Sequence, residues 1–304
     1  MDCLILHPGA LGDLVLSLPA IASLRSAFPG MRVTLAANVD FAEVVARGYA
    51  ERVLSLSLVP LHRLRTGDPL GSEDLAWWMS FDRIVSWTGA GDAEYERRMA
   101  DLHPAALVAP WRPRPGEREH VSALFVKSLE PWLRPGTPLA APRVSLPAES
   151  LAEAQDWLRR RGWSPEMHLL AVHPGAGSPA KRRPLADFVR LGRRWLRQER
   201  RGILVIEGPA EPGFAGELAR ELAATPVIHA AQLPLGRLAA VLSHCSCYSG
   251  SDSGISHLAA ALGLRTQVWF NATDPAVWRP LASHVSSASS LPAHLRSLLP
   301  TGRG

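Results

Sequence analysis

Lysine is nearly absent from this chain. Of its 33 lysine and arginine residues only Lys127 and Lys181 are lysines, which leaves 31 arginines. Cysteine is scarce as well, with three residues among 304. So few cysteines exclude a secreted disulfide framework and suit a reducing compartment, and a chain of this length buries a core without such staples.

Long apolar runs and targeting signals are also missing. No stretch approaches the run of about 18 apolar residues that a membrane-spanning helix needs. The N-terminus starts with Met1 and Asp2 and shows neither a basic region nor a small-residue cleavage site, which argues against a signal peptide. We therefore expect a cytoplasmic protein.

The charge balance is basic, with a net charge of +5 and an isoelectric point near 9.6. Such a balance fits nucleic acid, an anionic membrane surface or acidic small ligands as partners. Nucleic-acid-binding proteins cluster their charge, whereas these arginines are spread along the whole chain, and the densest runs, at 159–161 and 181–183, are short. We expect no nucleic-acid partner. The arginine excess indicates either compositional drift in a GC-rich genome or a surface for phosphorylated or membrane-bound partners.

Short apolar runs alternate with amphipathic stretches, a pattern typical of parallel sheets covered by helices. In the first half this pattern predicts helices at 13–28 and 120–129, and strands at 3–7, 32–36, 52–56, 83–87 and 106–109. Pro19 predicts a kink in the first helix or its division into two pieces.

Five prolines between residues 131 and 147 exclude regular structure and predict a linker. The alternation then resumes, with helices predicted at 148–161, 185–198, 213–223, 235–243 and 254–262, and strands at 169–173, 203–207, 226–228, 245–249 and 266–270. We therefore expect two α/β domains, residues 1–146 and 147–304, with a cleft between them. Ligands of open α/β sheets bind beyond the carboxyl ends of the strands, so the loops that follow strands are the candidate sites.

The first candidate loop, residues 7–13, follows the first predicted strand. Gly9 and Gly12 permit a tight turn and the close approach of a ligand, and Asp13 stands where a helix begins. Two interpretations of Asp13 stay open. It would be the N-cap residue, whose carboxylate accepts the unpaired backbone N–H groups of the first turn, or it would serve as a general base facing the predicted cleft.

The second candidate loop, residues 173–181, also follows a strand. Its small residues Ala176, Gly177 and Ser178 leave backbone N–H groups accessible, which favours an anion site. Lys181 adds a mobile charge, and a lysine kept in so arginine-rich a chain suggests a role that arginine does not fill. By comparison, Lys127 lies on a predicted helix, where we expect only a solvated side chain.

The third candidate loop, residues 249–257, leads into a helix that begins near Ser253 and Gly254. The amides of that helix together with His257 would bind a diphosphate. A hydrolase nucleophile elbow is excluded, because Asp252 occupies the position of the required serine.

A metal site is another interpretation of the same region, with His244, Cys245, Cys247 and His257 as candidate ligands. A Cys-x-Cys pair on a strand is a poor zinc spacing, and the chain has no second cysteine pair. The two cysteines are better explained as small buried hydrophobic residues, so we expect neither a metal nor a cofactor.

A fourth and weaker feature follows the strand predicted at 203–207. A carboxylate from Glu207 or Glu211 beside Gly208 suits a ribose hydroxyl. A helix start explains Glu211 equally well, because helix N-termini favour negative charge.

Taken together, these loops resemble glycosyltransferase family 9, the ADP-heptose:lipopolysaccharide heptosyltransferases. The matching residues follow the family's order along nearly the whole chain: Gly9-Ala10-Leu11-Gly12-Asp13 with Leu18-Pro19-Ala20, His173-Pro174-Gly175 with Lys181, Gly208 with Glu211, Asp252-Ser253-Gly254-Ile255-Ser256-His257, and Thr273-Asp274-Pro275. The resemblance implies an α/β fold of GT-B architecture, with two Rossmann-like domains whose parallel sheets face across a cleft. It also implies inverting, metal-independent transfer of heptose from ADP-heptose to a lipopolysaccharide core or related glycolipid.

The resemblance further implies a role for each domain and for individual residues. Domain 1–146 would receive the acceptor, with Asp13 removing the proton of its hydroxyl, and domain 147–304 would bind the nucleotide-sugar donor. Lys181 would neutralise the diphosphate leaving group, and Asp252 would hold hydroxyls of the donor sugar. The other implied donor contacts are Gly12, Ala176, Gly177 and Ser178 in the loops, Gly208 and Glu211 near the ribose, Leu233 near the base, and Ser253, Gly254 and His257 at the β-phosphate.

A basic loop containing His62, Arg63 and Arg65 would suit a phosphorylated glycolipid at the inner face of the cytoplasmic membrane. An ordinary solvated loop is the alternative. The sequence departs from the family around Lys181, because Ala176-Gly177-Ser178 lacks the usual hydroxyl residues and Arg182-Arg183-Pro184 replaces a tryptophan–proline pair. These departures concern the identity of the donor more than the class of reaction.

The competing hypothesis is a non-catalytic nucleotide-sugar-binding homologue in a glycan-assembly complex. The presence of Asp13, Lys181 and Asp252 favours the enzyme, because an inactive homologue would be expected to lose at least one of them. A dinucleotide-dependent dehydrogenase is disfavoured, because no G-x-G-x-x-G motif follows the first strand.

Overall fold

A computed structural model describes residues 1–66, 68–208, 212–222 and 227–288. The chain divides into two compact units, Met1–Pro142 and Arg143–Gly304, each built on one parallel β-sheet. The division falls in the proline-rich segment, where residues 128–147, all described, contain neither helix nor strand. Proline lacks the N–H donor that either structure needs, which explains the gap.

In the first unit, the part of the chain that the structure describes forms a sheet of five parallel strands. They are β1 (Asp2–Leu6), β2 (Arg32–Ala37), β3 (Arg52–Ser55), β4 (Arg83–Ser86) and β5 (Ala106–Val108), in the sheet order β3-β2-β1-β4-β5. Its helices are α1 (Leu11–Ala27), α2 (Val39–Val45), α3 (Leu61–Thr66), α4 (Ser72–Trp78), α5 (Ala93–Leu102) and α6 (Val121–Lys127). Leu4, Ile5 and Leu6 of the central strand are fully buried, as expected of a strand covered on both faces.

All five strands predicted for the first half are present within one residue at each end. Helices α2 to α5 were not predicted, although two of them carry a start signal in the sequence. The Asn38 side chain accepts a hydrogen bond from the Phe41 backbone N–H at 3.2 Å, and Asp92 accepts one from Tyr95 at the same distance. Both are N-cap residues, whose oxygens satisfy amides that the first helical turn leaves unpaired.

Helix α1 passes through Pro19 as one continuous helix, so a division into two pieces was wrong. Proline inside a helix costs about 3 kcal/mol, because it removes one hydrogen bond and crowds the preceding turn. Burial offsets this cost: Leu14, Leu18 and Ile21 are completely inaccessible to solvent.

The described residues of the second unit form a sheet of six parallel strands. They are β6 (His168–His173), β7 (Arg201–Glu207), β8 (Val227–Ala231), β9 (Cys247–Ser251), β10 (Arg265–Trp269) and β11 (Val285–Ala288), in the sheet order β11-β10-β9-β6-β7-β8. Its helices are α7 (Ala148–Arg159), α8 (Leu185–Trp195), α9 (Phe214–Leu222), α10 (Leu235–Leu242), α11 (Gly254–Ala261) and α12 (Pro275–Trp278). Strand β11 and helix α12 were not predicted, and residues 223 and 226 of the predicted elements lie outside the described residues.

The strand predicted at 245–249 lies two residues further on, at Cys247–Ser251. Cys245 instead belongs to the turn after α10, where its N–H donates to the Leu242 carbonyl at 2.8 Å. The shift places Ser249, Gly250 and Ser251 inside the sheet rather than in the loop. Within the described residues, no helix combines the length and apolar character required to cross a membrane.

Candidate active site

The sheet of the second unit changes direction between β6 and β9. After β6 the chain forms β7 and β8 on one side of that strand, and it then returns to form β9 on the other side. The loops that follow β6 and β9 therefore begin next to each other at one edge of the sheet and lead away in different directions. Such a switch point is where open α/β sheets bind ligands. Two of the predicted loops, residues 173–181 and 249–257, meet at this point.

Three side-chain contacts join these two loops. Lys181 Nζ donates to Asp252 Oδ2 at 2.8 Å, and Ser251 Oγ donates to the Pro174 carbonyl at the same distance. His173 Nδ1 and Ser253 Oγ are hydrogen-bonded at 3.2 Å. Lys181 of the predicted anion loop and Asp252, the predicted sugar-binding residue, therefore lie together in the second unit.

Gly250 allows this close approach. A Cβ atom at this position would lie 2.7 Å from the His173 carbonyl oxygen and 2.3 Å from Tyr248 Oη. Any other residue would push β9 away from β6, and the contacts between the loops would lengthen.

Ser253 precedes the first residue of α11, but its side chain makes no cap hydrogen bond to that helix. Its hydroxyl is instead bound to His173, whose pKa burial lowers to about 4. The imidazole is therefore neutral near pH 7.

Ser253 and Gly254 lie at a helix N-terminus whose amide dipoles favour an anion, and buried His257 lies one turn further on.

The other predicted donor contacts of the second unit lie in these loops or follow neighbouring strands, whereas Gly12 lies in α1 of the first unit. Ala176 is buried, Ser178 is half-buried and Gly177 is exposed, just before the 3-10 turn Pro179–Lys181. Gly208 and Leu233 are half-buried and follow β7 and β8. Glu211 lies outside the described residues.

The Glu207 carboxylate is hydrogen-bonded to the backbone at the start of α9. Its Oε1 accepts a hydrogen bond from the Gly213 N–H at 3.0 Å, and its Oε2 accepts one from Ala215 at 2.8 Å. The carboxylate therefore stabilises the start of α9, which leaves it poorly placed to serve as a ribose acceptor.

Thr273 and Arg183 had no predicted role. Thr273 Oγ1 donates to Asp252 Oδ2 at 2.5 Å, so this carboxylate oxygen accepts from both Thr273 and Lys181. Only Thr273's place in the family motif hinted at a function, since 21 residues separate it from Asp252.

Arg183 occupies the position where the family has an aromatic residue. Its guanidinium pairs with Asp187 at 2.6 Å, donates to Asn271 Oδ1 at 3.0 Å and lies 5.0 Å from the centre of the Trp269 ring. The side chain of Arg183 is only 16% exposed. The arginine therefore anchors the segment that follows Lys181 to β10 and α8, which is a structural role.

The first unit has the same kind of switch point, between β1 and β4. Asp13, in the first turn of α1 and 8% exposed, accepts a hydrogen bond from the Ala10 N–H at 3.1 Å. Arg112 Nη2 lies 3.9 Å from the same Oδ2 atom. Asp13 is therefore not the N-cap residue, which is Ala10, but its carboxylate accepts the N-cap N–H from the third helical position and so stabilises the first turn. Its role as a base stays a prediction.

His7 and Gly9 hold the loop that carries Asp13. Burial lowers the pKa of His7 to about 4, and its Nδ1 accepts a hydrogen bond from the Gly9 N–H at 3.2 Å. A Cβ on Gly9 would lie 2.7 Å from the His7 ring and 2.6 Å from the Asp13 Cβ. The loop is therefore packed so tightly that only glycine fits between the two side chains.

The prediction of a basic loop in the first unit is wrong, because His62, Arg63 and Arg65 lie on helix α3. Leu64 is buried, so packing of an apolar helix face outweighs the local preference of a polar segment. Arg63 pairs with Asp74 at 3.1 Å, and Arg65 donates to Thr88 Oγ1 at 2.9 Å. His62 is exposed.

The candidate metal ligands do not assemble. Among the described residues, no three His, Cys, Asp or Glu side chains are grouped to hold a metal ion. His244 Nε2 is hydrogen-bonded to the Leu151 carbonyl at 2.9 Å. Burial raises the pKa of Cys247 to about 11, consistent with a small buried hydrophobic residue.

Several solved structures share this fold. A glycosyl transferase family 9 protein from Veillonella parvula matches with a TM-score of 0.77 and 18% identity, over 94% of this chain and 86% of that one. The ADP-heptose lipopolysaccharide heptosyltransferase II of E. coli matches with a TM-score of 0.71 and 16% identity, over 99% and 95% of the two chains. The E. coli heptosyltransferase WaaC, solved with ADP, matches with a TM-score of 0.65 and 19% identity, over 94% and 92%.

These similarities confirm the GT-B fold with its two Rossmann-like α/β units. No curated protein sequence matches the chain significantly. The sequence profile described as glycosyltransferase family 9 (heptosyltransferase) matches residues 123–296, more than half of the chain. The chain therefore belongs to glycosyltransferase family 9 and is a glycosyltransferase of the heptosyltransferase type.

Proposed function

We propose that this glycosyltransferase moves heptose from ADP-heptose to a lipopolysaccharide core or related glycolipid, with inversion at the anomeric carbon and without a metal ion. The contact between Lys181 and Asp252 carries the proposal. It places a mobile cation and a buried carboxylate beside a helix N-terminus, at the switch point of the second unit. A nucleotide-sugar needs this combination, because it presents a diphosphate and sugar hydroxyls side by side. The ADP bound in the WaaC structure supports the choice of nucleotide.

The second unit would bind the donor. Lys181 and the amides at Ser253 and Gly254 would stabilise the negative charge that builds on the diphosphate as the glycosidic bond breaks. Asp252 would accept hydrogen bonds from hydroxyls of the sugar. The remaining donor contacts are those predicted from the family: Gly12, Ala176, Gly177, Ser178, Gly208, Glu211, Leu233 and His257.

The first unit would receive the acceptor. Asp13 would remove the proton from the attacking hydroxyl, which raises the rate because a neutral alcohol is a weak nucleophile. His62, Arg63 and Arg65 on α3 would bind a phosphate of the glycolipid at the inner face of the cytoplasmic membrane. A single displacement by this hydroxyl would invert the anomeric configuration.

The experiment is a transfer assay with ADP-heptose and a truncated lipopolysaccharide core, in the presence of EDTA. We expect release of ADP and a product whose anomeric configuration, read by NMR, is opposite to that of the donor. Loss of activity in EDTA would overturn the metal-free mechanism. Retained configuration would overturn the single displacement by the acceptor hydroxyl. Failure to bind ADP or ADP-heptose in calorimetry would overturn the proposed donor.

A further inference from the structure

Thr273 and Asp252 come from neighbouring strands of the second unit. Asp252 follows β9 and Thr273 follows β10, and the two strands pair in parallel with Ser251 opposite Trp269. The Asp252 N–H donates to the Trp269 carbonyl at 3.1 Å, which extends the register beyond the end of β9. Sheet pairing therefore delivers the Thr273 hydroxyl to the Asp252 carboxylate.

The residues after Thr273 fix its backbone. Asp274 caps α12, with its Oδ1 accepting a hydrogen bond from the Ala276 N–H at 2.8 Å, and Pro275 occupies the first helical position. Proline at that position is already set to a helical φ angle. The start of α12 therefore holds the Thr273 backbone without using the Thr273 side chain. The hydroxyl is consequently available to donate to Asp252.

Asp252 has two donors on one oxygen, and they differ in mobility. The Asp252 side chain is 5% exposed, whereas that of Lys181 is 31% exposed and ends a flexible stem. If a diphosphate draws Lys181 to itself, a nearly buried carboxylate loses its counter-ion, which is costly unless other donors replace it. Thr273 and the hydroxyls of a sugar are such donors.

We propose that Thr273 is a positioning residue for the donor sugar: its hydroxyl keeps hold of Asp252 Oδ2 while Lys181 transfers from Asp252 to the diphosphate. The carboxylate then stays oriented to accept hydrogen bonds from sugar hydroxyls. This inference rests on the proposed function, because it takes a sugar linked to a nucleoside diphosphate as the ligand. The bond is short and charge-assisted, the class of hydrogen bond that orients an acceptor most strongly.

Under this mechanism the nucleotide part and the sugar part of the donor are bound by different residues. A nucleoside diphosphate without sugar offers Lys181 a new partner but gives Asp252 none. A nucleotide-sugar offers partners to both. Loss of the Thr273 hydroxyl should therefore weaken binding of the complete donor more than binding of its nucleotide part.

The test is the affinity of Thr273→Val for ADP-heptose and for ADP, measured by calorimetry. Valine keeps the shape of threonine and removes the hydroxyl. We expect affinity for ADP-heptose to fall about tenfold and affinity for ADP to change by less than about threefold. Thr273→Ser restores the hydroxyl and should restore the affinity. An equal loss for both ligands, or no rescue by serine, would overturn the inference.

A double-mutant cycle with Asp252→Ala, which removes the acceptor oxygens, tests whether Thr273 acts through Asp252. In the Asp252→Ala background, Thr273→Val should cause no further loss of ADP-heptose affinity, and a full tenfold loss there would overturn the inference. Thr137→Val is the matched control, since that hydroxyl bonds to the Arg134 carbonyl in the first unit and should leave both affinities unchanged.

These outcomes are distinct from failure of the proposed function. An unsubstituted chain that binds neither ADP nor ADP-heptose overturns the proposed function, and the sugar's part in this inference with it. A chain that binds both ligands, while Thr273→Val leaves both affinities unchanged, overturns the role of Thr273 alone.

Discussion

Lys181 Nζ lies 2.8 Å from Asp252 Oδ2, although 71 residues separate the two along the chain. One of the two lysines in an otherwise arginine-based chain is thus bound to the carboxylate of a residue that is only 4% exposed. A lysine ammonium is a compact charge on a flexible stem, so it can exchange one anionic partner for another. This property suits a group that holds an aspartate before the donor binds and a diphosphate afterwards.

Replacing Lys181 by alanine should weaken the binding of ADP by about 10- to 100-fold, the value of one charge-assisted contact to phosphate. Calorimetry with ADP measures the change. Lys127→Ala is the matched control, because the other lysine is 57% exposed in the first unit, where it pairs with Glu119 at 3.4 Å. Unchanged ADP affinity in Lys181→Ala would remove this residue from the phosphate site.

Replacing Asp13 by asparagine should abolish the base while retaining the size of the side chain. We expect the rate of heptose transfer to fall about 100- to 10,000-fold, with ADP affinity unchanged, because the acceptor proton alone is affected. Asp40→Asn is the control, since Asp40 is also an acidic residue in the first turn of a helix but is exposed. Transfer at the wild-type rate in Asp13→Asn would show that this carboxylate serves only to stabilise the first turn of α1.

Replacing Arg183 by methionine should lower the free energy of unfolding by about 1–3 kcal/mol, because nearly buried Asp187 loses one of its two arginine partners. ADP affinity should fall as well, since the segment carrying Lys181 loses one of its two hydrogen bonds to Asn271 and keeps only the one from Asn271 Nδ2 to the Arg182 carbonyl. Urea unfolding and calorimetry report the two effects. Arg193→Met removes an exposed arginine paired with Glu221 and should leave both quantities unchanged, whereas an equal effect of both variants would argue against an anchoring role.

The histidines at the ends of β1 and β6 predict that acid destabilises the protein. Burial lowers the pKa of His7 and of His173 from 6.5 to about 4. Between these values the unfolded chain binds protons that the folded chain does not, so stability should fall as the pH drops from 6.5 towards 4. Each group contributes about 3 kcal/mol over this window, and above it the contribution is constant.

Urea unfolding across this pH range measures the slope. His173→Asn removes one titrating group and should reduce the slope by about one proton, since an asparagine amide takes up no proton in either state. His62→Asn, at an exposed position on α3, should leave the slope as it is. A slope that is the same in all three proteins would contradict the prediction for His173.

The alternation of strands and helices was predictable because it depends on local patterns. Buried parallel strands such as Leu4–Leu6 of β1 consist of continuous apolar residues, and the proline-rich segment 131–147 excludes regular structure wherever it lies. The glycine-containing loops after β1 and β6 were identified for the same reason. Short helices such as α3 were missed, because the burial of Leu64 that stabilises it depends on elements far along the chain.

The sequence by itself determined that the chain forms two α/β units, where their loops lie, and which family the loop residues resemble. All of these features depend on the spacing of residues that lie close together in the sequence. Only the tertiary structure decided that Lys181 and Thr273 both donate to one oxygen of the Asp252 carboxylate. The reason is that β6, β9 and β10 become neighbours through sheet pairing rather than through sequence order. It also decided that Arg183, where the family has an aromatic residue, is an anchor: its partners Asp187, Asn271 and Trp269 meet around the guanidinium only once the sheet and α8 have packed.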